Sequence, residues 1–408
     1  MGIPAKQEPL PGSALDKAMS NPRRTRIVCT LGPAVDNEEA LKELLHAGMN
    51  IARLNFSHGN HEEHHRRIAR LRKVAAIEGI AVAIMLDTRG PEIRTGETEG
   101  DAQYELFTGD QITVTTEEIA GTRERIGISY KQLPKEAVPG LHLYIADGLI
   151  DLEVLSIAKG ELRCVVRSGG TLGSRKNVNI PGIRLELPAM TEKDREDIIF
   201  GIDEEVDFVA ASFIRTPEDV AMIQALLRDH GSPIRVIAKI EDQEGLSNID
   251  EITRLCDGVM VARGDLGVQL PIEEIPLAQK RIIALCNERN KPVITATQLL
   301  DSMIRNARPV EGSSEYRRSV LKRPEIEDDP DAVAGAVAKA ALQLAEAIGA
   351  AAIIAPTLQG NTAPLLSKYR PSQPVVAATT GGLVQRQLLL YWGVVPLLVG
   401  EVEDSGKM

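Results

Sequence analysis

At 408 residues the chain is longer than a single hydrophobic core usually supports, so two or three domains are expected. Its composition, 43% hydrophobic, 26% charged and 3% aromatic, is that of a globular protein and excludes fibrous and disordered classes. A formal net charge of -11 argues against nucleic acid as a partner, since a phosphate backbone needs a basic face, but it leaves room for small anionic ligands gathered by local bases.

In chain order, residues 1–24 read as an N-terminal extension without the apolar core of a signal peptide. Short apolar runs then alternate with helical patterns: RIVCTLG (26–32), NIARLNFS (50–57) and VAIMLDT (82–88), with NEEALKELLHAG between the first two. Residues 98–182 break the alternation. QITVTTEEI, LHLYIADGLIDLEVLSI and ELRCVVRSGG switch apolar with polar residues at period two and predict a small antiparallel β domain inserted between the third and fourth runs. The alternation resumes with DFVAASF (207–213), RVIAKIE (235–241), GVMVARGD (258–265), the helical IPLAQKRIIALCNERN, and PVITATQ (292–298). These runs are apolar on both faces, as parallel strands covered by helices must be. They predict an α/β fold of TIM type, with the barrel domain at 25–97 and 183–309. Residues 310–330 have no apolar period and read as a linker. A helix over 331–350 and strands at AAIIAPT, PVVAATT and VVPLLV make a smaller C-terminal α/β unit over 331–408.

Cys29, Cys164, Cys256 and Cys286 form no CxxC pair and read as reduced thiols. No run reaches the ~18 apolar residues of a membrane span. The sequence therefore predicts a cytoplasmic protein with neither a membrane nor a nucleic-acid partner.

In a parallel barrel the chemistry sits at the carboxyl ends of the strands. Polar residues gather there: Arg53, Asn55 and Ser57; Asp87 and Thr88; Ser212; Lys239 and Glu241; Arg263 and Asp265; Thr297. Glu241 and Asp265 would face each other as two hard oxygen ligands, a set that suits Mg²⁺. Lys239 lies on the same side of its strand as Glu241, and Arg53 adds a second cation, so the rim is suited to stabilise a phosphoryl group in transit. Gly264 leaves backbone N–H groups open to a substrate carboxylate.

Two motifs compete. HEEHH at 61–65 satisfies the HExxH pattern of zinc hydrolases, with His61 and His65 one turn apart, but no third ligand follows and a solvated helix start reads better. The RGD tripeptide at 263–265 lies at a strand end of an acidic chain, which sets aside an adhesion role. Neither a P-loop nor a strand-borne GxGxxG is present.

The set RTRIVCTLGPA, AGMNIARLNFSHG, LDTRGPEIRTG, NVNIPG, DFVAASFIR, IAKIEDQEGL, DGVMVARGDLGV, LAQKRIIALCN and PVITATQLLDSMI resembles the pyruvate kinase family almost continuously over residues 25–309. YRPSQPVVAATT and LLLYWGVVPLLV extend the likeness into the C-terminal unit. The resemblance implies phosphoryl transfer from phosphoenolpyruvate to ADP, giving pyruvate and ATP. It implies Mg²⁺ or Mn²⁺ on Glu241 and Asp265, Lys239 and Arg53 on the phosphoryl group, and Gly264, Asp265 and Thr297 on the substrate carboxylate, with Thr297 near the carbon that is protonated. It further implies K⁺ on Asn55, Ser57, Asp87 and Thr88, nucleotide contacts from Arg94, Lys176 and His58, a β domain that closes as a lid, and a homotetramer.

The sequence departs from the family in two places. After Arg308-Pro309 the chain runs directly into VEGSSEYRRS, where the family continues with a helix and an eighth strand. The C-terminal unit offers three strands where the family has five, and Gln359 in TLQGNTA replaces a small hydroxyl residue. The expectation is a barrel lacking its eighth βα unit, with open edges, low stability and impaired activity. A non-catalytic paralogue is the alternative.

Overall fold

The computed structural model describes residues 23–146, 148–183, 185–270, 274–296 and 332–400. The linker 310–330, Pro309 and Thr297 lie outside the described residues.

Seven strands form one parallel sheet: β1 (Val28–Thr30), β2 (Ile51–Asn55), β3 (Ala83–Asp87), β12 (Phe208–Ala211), β13 (Arg235–Ile240), β14 (Gly258–Ala262) and β15 (Val293–Ala296). They pair in that order, with Asn55 opposite Asp87 and Lys239 opposite Met260. Helices cover the outside: α1 (Glu38–Ala47), α2 (His61–Glu78), α3 (Glu192–Asp203), α4 (Pro217–Asp229), α5 (Gln243–Ser247), α6 (Ile249–Leu255), α7 (Arg263–Gln269) and α8 (Ile275–Glu288). Their starts carry the expected caps. Asn37 accepts from Ala40 N, Asn60 from Glu63 N, and Thr191 and Thr216 each form a full capping box.

The period-two alternation of the strands separates two cores. Ala52, Leu54, Ile84, Leu86, Val209, Val236, Ala238 and Val261 pack outward with the helices. Ile51, Met85, Phe208, Ala210, Ile237 and Met260 fill the concave interior. Continuing the inward parity along each strand reaches Arg53 and Asn55, Asp87, Ser212, and Lys239 and Glu241. The same alternation that builds an apolar floor therefore places these polar groups on the mouth above it.

Among the described residues β1 pairs only with β2 and β15 only with β14, so the curled sheet is open at both edges. Burial agrees: every residue of β12 and β14 is buried, whereas all four of β15 are only half-buried.

The region after β3 forms a six-stranded sheet in the order β11-β7-β8-β9-β5-β6 and a two-stranded one, β10-β4. The strands are β4 (Tyr104–Leu106), β5 (Gln111–Thr115), β6 (Arg125–Gly127), β7 (His142–Ile145), β8 (Ile150–Ala158), β9 (Glu161–Ser168), β10 (Gly170–Leu172) and β11 (Val178–Asn179). It has its own apolar core, including Leu133, Leu143, Leu152, Leu162 and Val166.

The C-terminal unit holds helices α9 (Ala332–Ala347), α10 (Thr362–Ser367) and α11 (Gly382–Leu388) around a parallel sheet of β16 (Ile353–Pro356), β17 (Val375–Thr379) and β18 (Val394–Leu398). It closes the amino-terminal end of the barrel. Leu389 and Leu390, just past α11, join the interior cluster beside Ile51, Ala83 and Phe208. Each such burial contributes about 1.5–3 kcal/mol. Arg386 Nε donates to Asp207 Oδ1 at 2.7 Å, Arg26 Nε to Tyr391 O at 2.9 Å, and Gln387 Nε2 to Pro233 O at 3.1 Å. The open sheet is thus plugged at its base by the chain's own C-terminal unit, a source of cover that the sequence reading did not anticipate.

One strand assignment needs correction. GVMVARGD does not run as a strand to Asp265: β14 stops at Ala262, and Arg263 opens the seven-residue helix α7. Gly264 and Asp265 therefore lie in a helical first turn, because the apolar alternation ends where the charged residues begin.

Candidate active site

Lys239 is the hub of the mouth. Its Nζ lies 3.0 Å from Asp87 Oδ1 and 3.0 Å from Glu241 Oε1, and it donates to Ser212 Oγ at 2.6 Å. Only 8% of Lys239 is exposed. Burial alone would depress its pKa, but the carboxylates of Glu241 and Asp87 outweigh it and push the pKa above the usual lysine range. An ammonium held in this way is a permanent positive charge and not a proton acceptor.

Asp87 serves two cations. Its Oδ2 accepts from Arg53 Nε while Oδ1 faces Lys239 without hydrogen-bond alignment. Arg53 also donates through Nη1 to Thr30 Oγ1 at 2.8 Å. Glu241, 3% exposed, takes the Phe213 N–H on Oε2 at 2.7 Å. Phe213 has φ +55, a left-handed conformation that a bulky residue adopts only under local constraint. Asn55 Oδ1 accepts from Ser57 N at 3.1 Å, and Thr88 Oγ1 accepts from Ser212 N at 3.1 Å.

A cavity of about 400 Å³ opens beside this cluster, between the barrel mouth and the inserted β domain. Asp265, Glu92, Phe213, Arg215 and Asp242 are among its lining residues. Burial raises the Asp242 carboxyl to about 6, against the Gly245 N–H and Arg215, which lower it. Among the described residues no three His, Cys, Asp or Glu side chains converge as a complete metal cage.

Residues 22–319 match the model of the pyruvate kinase barrel domain, and residues 335–408 that of the pyruvate kinase alpha/beta domain. A pyruvate kinase of Sporosarcina psychrophila is 43% identical over 432 aligned residues, covering 94% of this chain and 73% of the relative. One of Geobacillus stearothermophilus is also 43% identical, covering 95% and 73%. A crystal structure of a pyruvate kinase from Cryptosporidium parvum superposes with a TM-score of 0.86 at 37% identity, covering 96% of this chain and 90% of that one. The chain belongs to the pyruvate kinase family. It is accordingly a glycolytic phosphotransferase that carries out the pyruvate kinase reaction. Neither the relatives nor the geometry favours the non-catalytic paralogue or the zinc hydrolase.

Within a pyruvate kinase the HEEHH motif has structural partners. His61 Nε2 is 2.7 Å from Asp197 Oδ1 and His65 Nδ1 is 2.6 Å from Glu204 Oε1, so the two imidazoles are committed to different carboxylates of the α3 region. The expected solvated helix start holds only in part. His64 is buried, stacks on Phe56 with ring centroids 4.0 Å apart, and lies 3.0 Å from His58 O.

Of the residues expected to contact nucleotide, Arg94 and Lys176 sit at the junction with the β domain. Arg94 Nη2 pairs with Glu92 Oε2 at 2.6 Å, and its Nη1 donates to Arg175 O at 2.9 Å. Lys176 exchanges backbone contacts with Thr95, at 2.8 Å from Thr95 N and 2.9 Å to Thr95 Oγ1. His58 is exposed beside Asn55, whose carbonyl takes the His58 N–H at 3.3 Å. Thr297 falls outside the described residues.

Two features had gone unassigned. The role of Asp87 as the common anion of Arg53 and Lys239 was not legible, because the sequence shows neither strand order nor which groups share a pair. The contacts of Ser212 and Phe213 were also missed. The only signal was the position of Ser212 at a strand end on the inward parity.

Proposed function

We propose that the pyruvate kinase reaction, phosphoenolpyruvate plus ADP to pyruvate plus ATP, runs on the mouth built by Arg53, Asp87, Lys239, Glu241 and Asp265. The observation that carries this reading is the buried Lys239 ammonium held between Asp87 and Glu241. A phosphoryl group in transit spreads negative charge over its oxygens, and fixed cations in a water-poor site stabilise that charge most as the group moves. Lys239 and Arg53 supply these cations, both anchored on Asp87 so that they need not reorganise. Glu241 and Asp265 would hold Mg²⁺ or Mn²⁺, which when bound neutralises phosphoryl oxygens as a Lewis acid. The first turn of α7, with Gly264 and Asp265, together with Thr297, would hold the substrate carboxylate, and Thr297 would lie near the carbon that is protonated. Arg94, Lys176 and His58 would contact ADP, and the inserted β domain would close over the cavity and exclude water.

The barrel is proposed to lack one βα unit. Among the described residues β1 and β15 each pair on one side alone, which supports this. So does the alignment to the Sporosarcina relative, whose 432 positions exceed the 408 residues of the chain itself, which means relatives carry internal residues absent here. A coupled assay of ATP formation from phosphoenolpyruvate and ADP tests the function. Measurable turnover that vanishes without divalent cation is expected, and its complete absence in folded protein would favour a binding-only paralogue.

A K⁺ requirement is expected from Asn55 and Asp87, paired at the ends of β2 and β3, with Ser57 and Thr88 just beyond them. Glu92 lies between Arg89, at 3.3 Å, and Arg94, at 2.6 Å. Replacing K⁺ by a bulky organic cation should suppress turnover, and Glu92→Lys should relax the requirement by supplying the charge covalently. Equal rates of the unaltered chain in both salts would remove the idea.

A further inference from the structure

We propose that Ser212 is a positioning residue for Lys239 in phosphoryl transfer, an inference that rests on the role given to Lys239 above. An ammonium has three N–H bonds, and here they face three acceptors: Asp87 Oδ1 at 3.0 Å, Glu241 Oε1 at 3.0 Å and Ser212 Oγ at 2.6 Å. Of these contacts the one to Ser212 has hydrogen-bond geometry, while the two carboxylates stand at ion-pair distance, so they set the charge of Lys239 more than its direction. The hydroxyl is the short contact, and it aims the group.

The hydroxyl is itself held. Its O–H is spent on Thr88 O at 2.6 Å, and the Ser212 N–H is spent on Thr88 Oγ1 at 3.1 Å, so the Oγ lone pairs are left to face Lys239. At 3% exposure, water has little access to compete for it. The next residue grips the partner carboxylate: Phe213, at φ +55, turns its N–H onto Glu241 Oε2. Consecutive residues thus hold both ends of the Lys239–Glu241 pair.

Gly90 keeps this corner in place. It has φ +73, and a Cβ there would stand 2.8 Å from both Phe213 Cδ2 and Ser212 Cβ. Its N–H is fixed on Asp194 Oδ1 at 2.9 Å.

Without the hydroxyl, Lys239 stays buried and charged but swings between Asp87 and Glu241. Substrate would still be attracted, while the cation would no longer meet the moving phosphoryl oxygen. A misplacement of about 1 Å costs up to about 10²-fold in rate. Ser212→Ala should therefore lower kcat by about 10- to 100-fold and leave the KM for phosphoenolpyruvate within about 2-fold. Mn²⁺ affinity by titration calorimetry should be unchanged, because Glu241 keeps its Phe213 contact. Ser212→Cys, nearly isosteric but a weak acceptor, should fall between serine and alanine. It keeps the test decisive if the alanine variant folds poorly.

A normal kcat in either folded variant, or a loss confined to KM, would overturn the proposal. Lys239→Met run alongside separates the two levels. Full activity there would overturn the role of Lys239 itself, whereas an inactive Lys239→Met beside a normal Ser212→Ala would remove only the inference about Ser212.

Discussion

Replacing Glu241 by glutamine should abolish turnover while leaving the protein folded. The amide oxygen can still accept the Phe213 N–H, which now binds Oε2 at 2.7 Å, so the left-handed corner at Phe213 keeps its partner. The variant loses one of the two carboxylates that hold Lys239 and, on the proposed assignment, a hard anionic metal ligand. Asp87 remains at 3.0 Å, so Lys239 stays charged and its burial stays compensated. Losing one partner of a buried charge group costs up to about 3–5 kcal/mol, and the surviving Asp87 should keep the penalty toward the lower end. The catalytic penalty is larger. Removing the proposed metal anchor would forfeit several kcal/mol of transition-state stabilisation, so kcat should drop by about 10³-fold or more, and Mg²⁺ titration should no longer restore it. Asp265→Asn should act in the same direction, and Lys239→Met should depress kcat more than it raises KM. Steady-state kinetics across a Mg²⁺ series checks all three. Near-normal turnover with normal Mg²⁺ dependence in the Glu241 variant would sink the site assignment.

What the sequence disclosed follows from which interactions are local. Strand runs were legible because a buried parallel strand needs apolar residues on both faces. All seven apolar runs of the barrel contain the observed strands, among them RVIAKIE around Arg235–Ile240. The gathering of Arg53, Asp87, Lys239 and Glu241 was legible too, because parity along a strand sets the side on which a residue emerges. Pairing across strands was not. That Asp87 joins Arg53 to Lys239 depends on β3 lying beside both β2 and β12, and on the inward side chains meeting across the mouth. The run into Asp265 misled because VMVA and ARGD share one unbroken stretch, and no cap or proline marks where β14 yields to α7. The docking of the C-terminal unit was equally hidden. Nothing in the stretch LLLYWG marks what Leu389 and Leu390 pack against, and only the folded chain shows them against Ile51 and Phe208.

That docking bears on what the proposed lack of one barrel unit would cost. An open parallel sheet exposes backbone donors and acceptors along two edges, which among the described residues are β1 and β15, with half-buried apolar residues beside them. Leu389, Leu390 and the Arg386–Asp207 pair close the base of the barrel, but they pair with neither edge. The site residues themselves stand on the central strands, where β3, β12 and β13 are paired on both sides, so the mouth can form while the edges fray. Thr297 follows directly on the edge strand β15, and the substrate carboxylate it would hold shares that weakness. Inserting a helix, strand and helix of family type after Pro309 should therefore raise the unfolding midpoint and the rate of ATP formation together. The gain should appear as a lower KM for phosphoenolpyruvate as well as a higher kcat, since on the proposed assignment the carboxylate contact follows this edge. Thermal unfolding and the coupled assay on both chains decide it. If the unaltered chain unfolds cooperatively at an ordinary mesophilic temperature and turns over as fast as the extended one, the eighth unit is dispensable, and closure at the base alone is enough to hold the barrel.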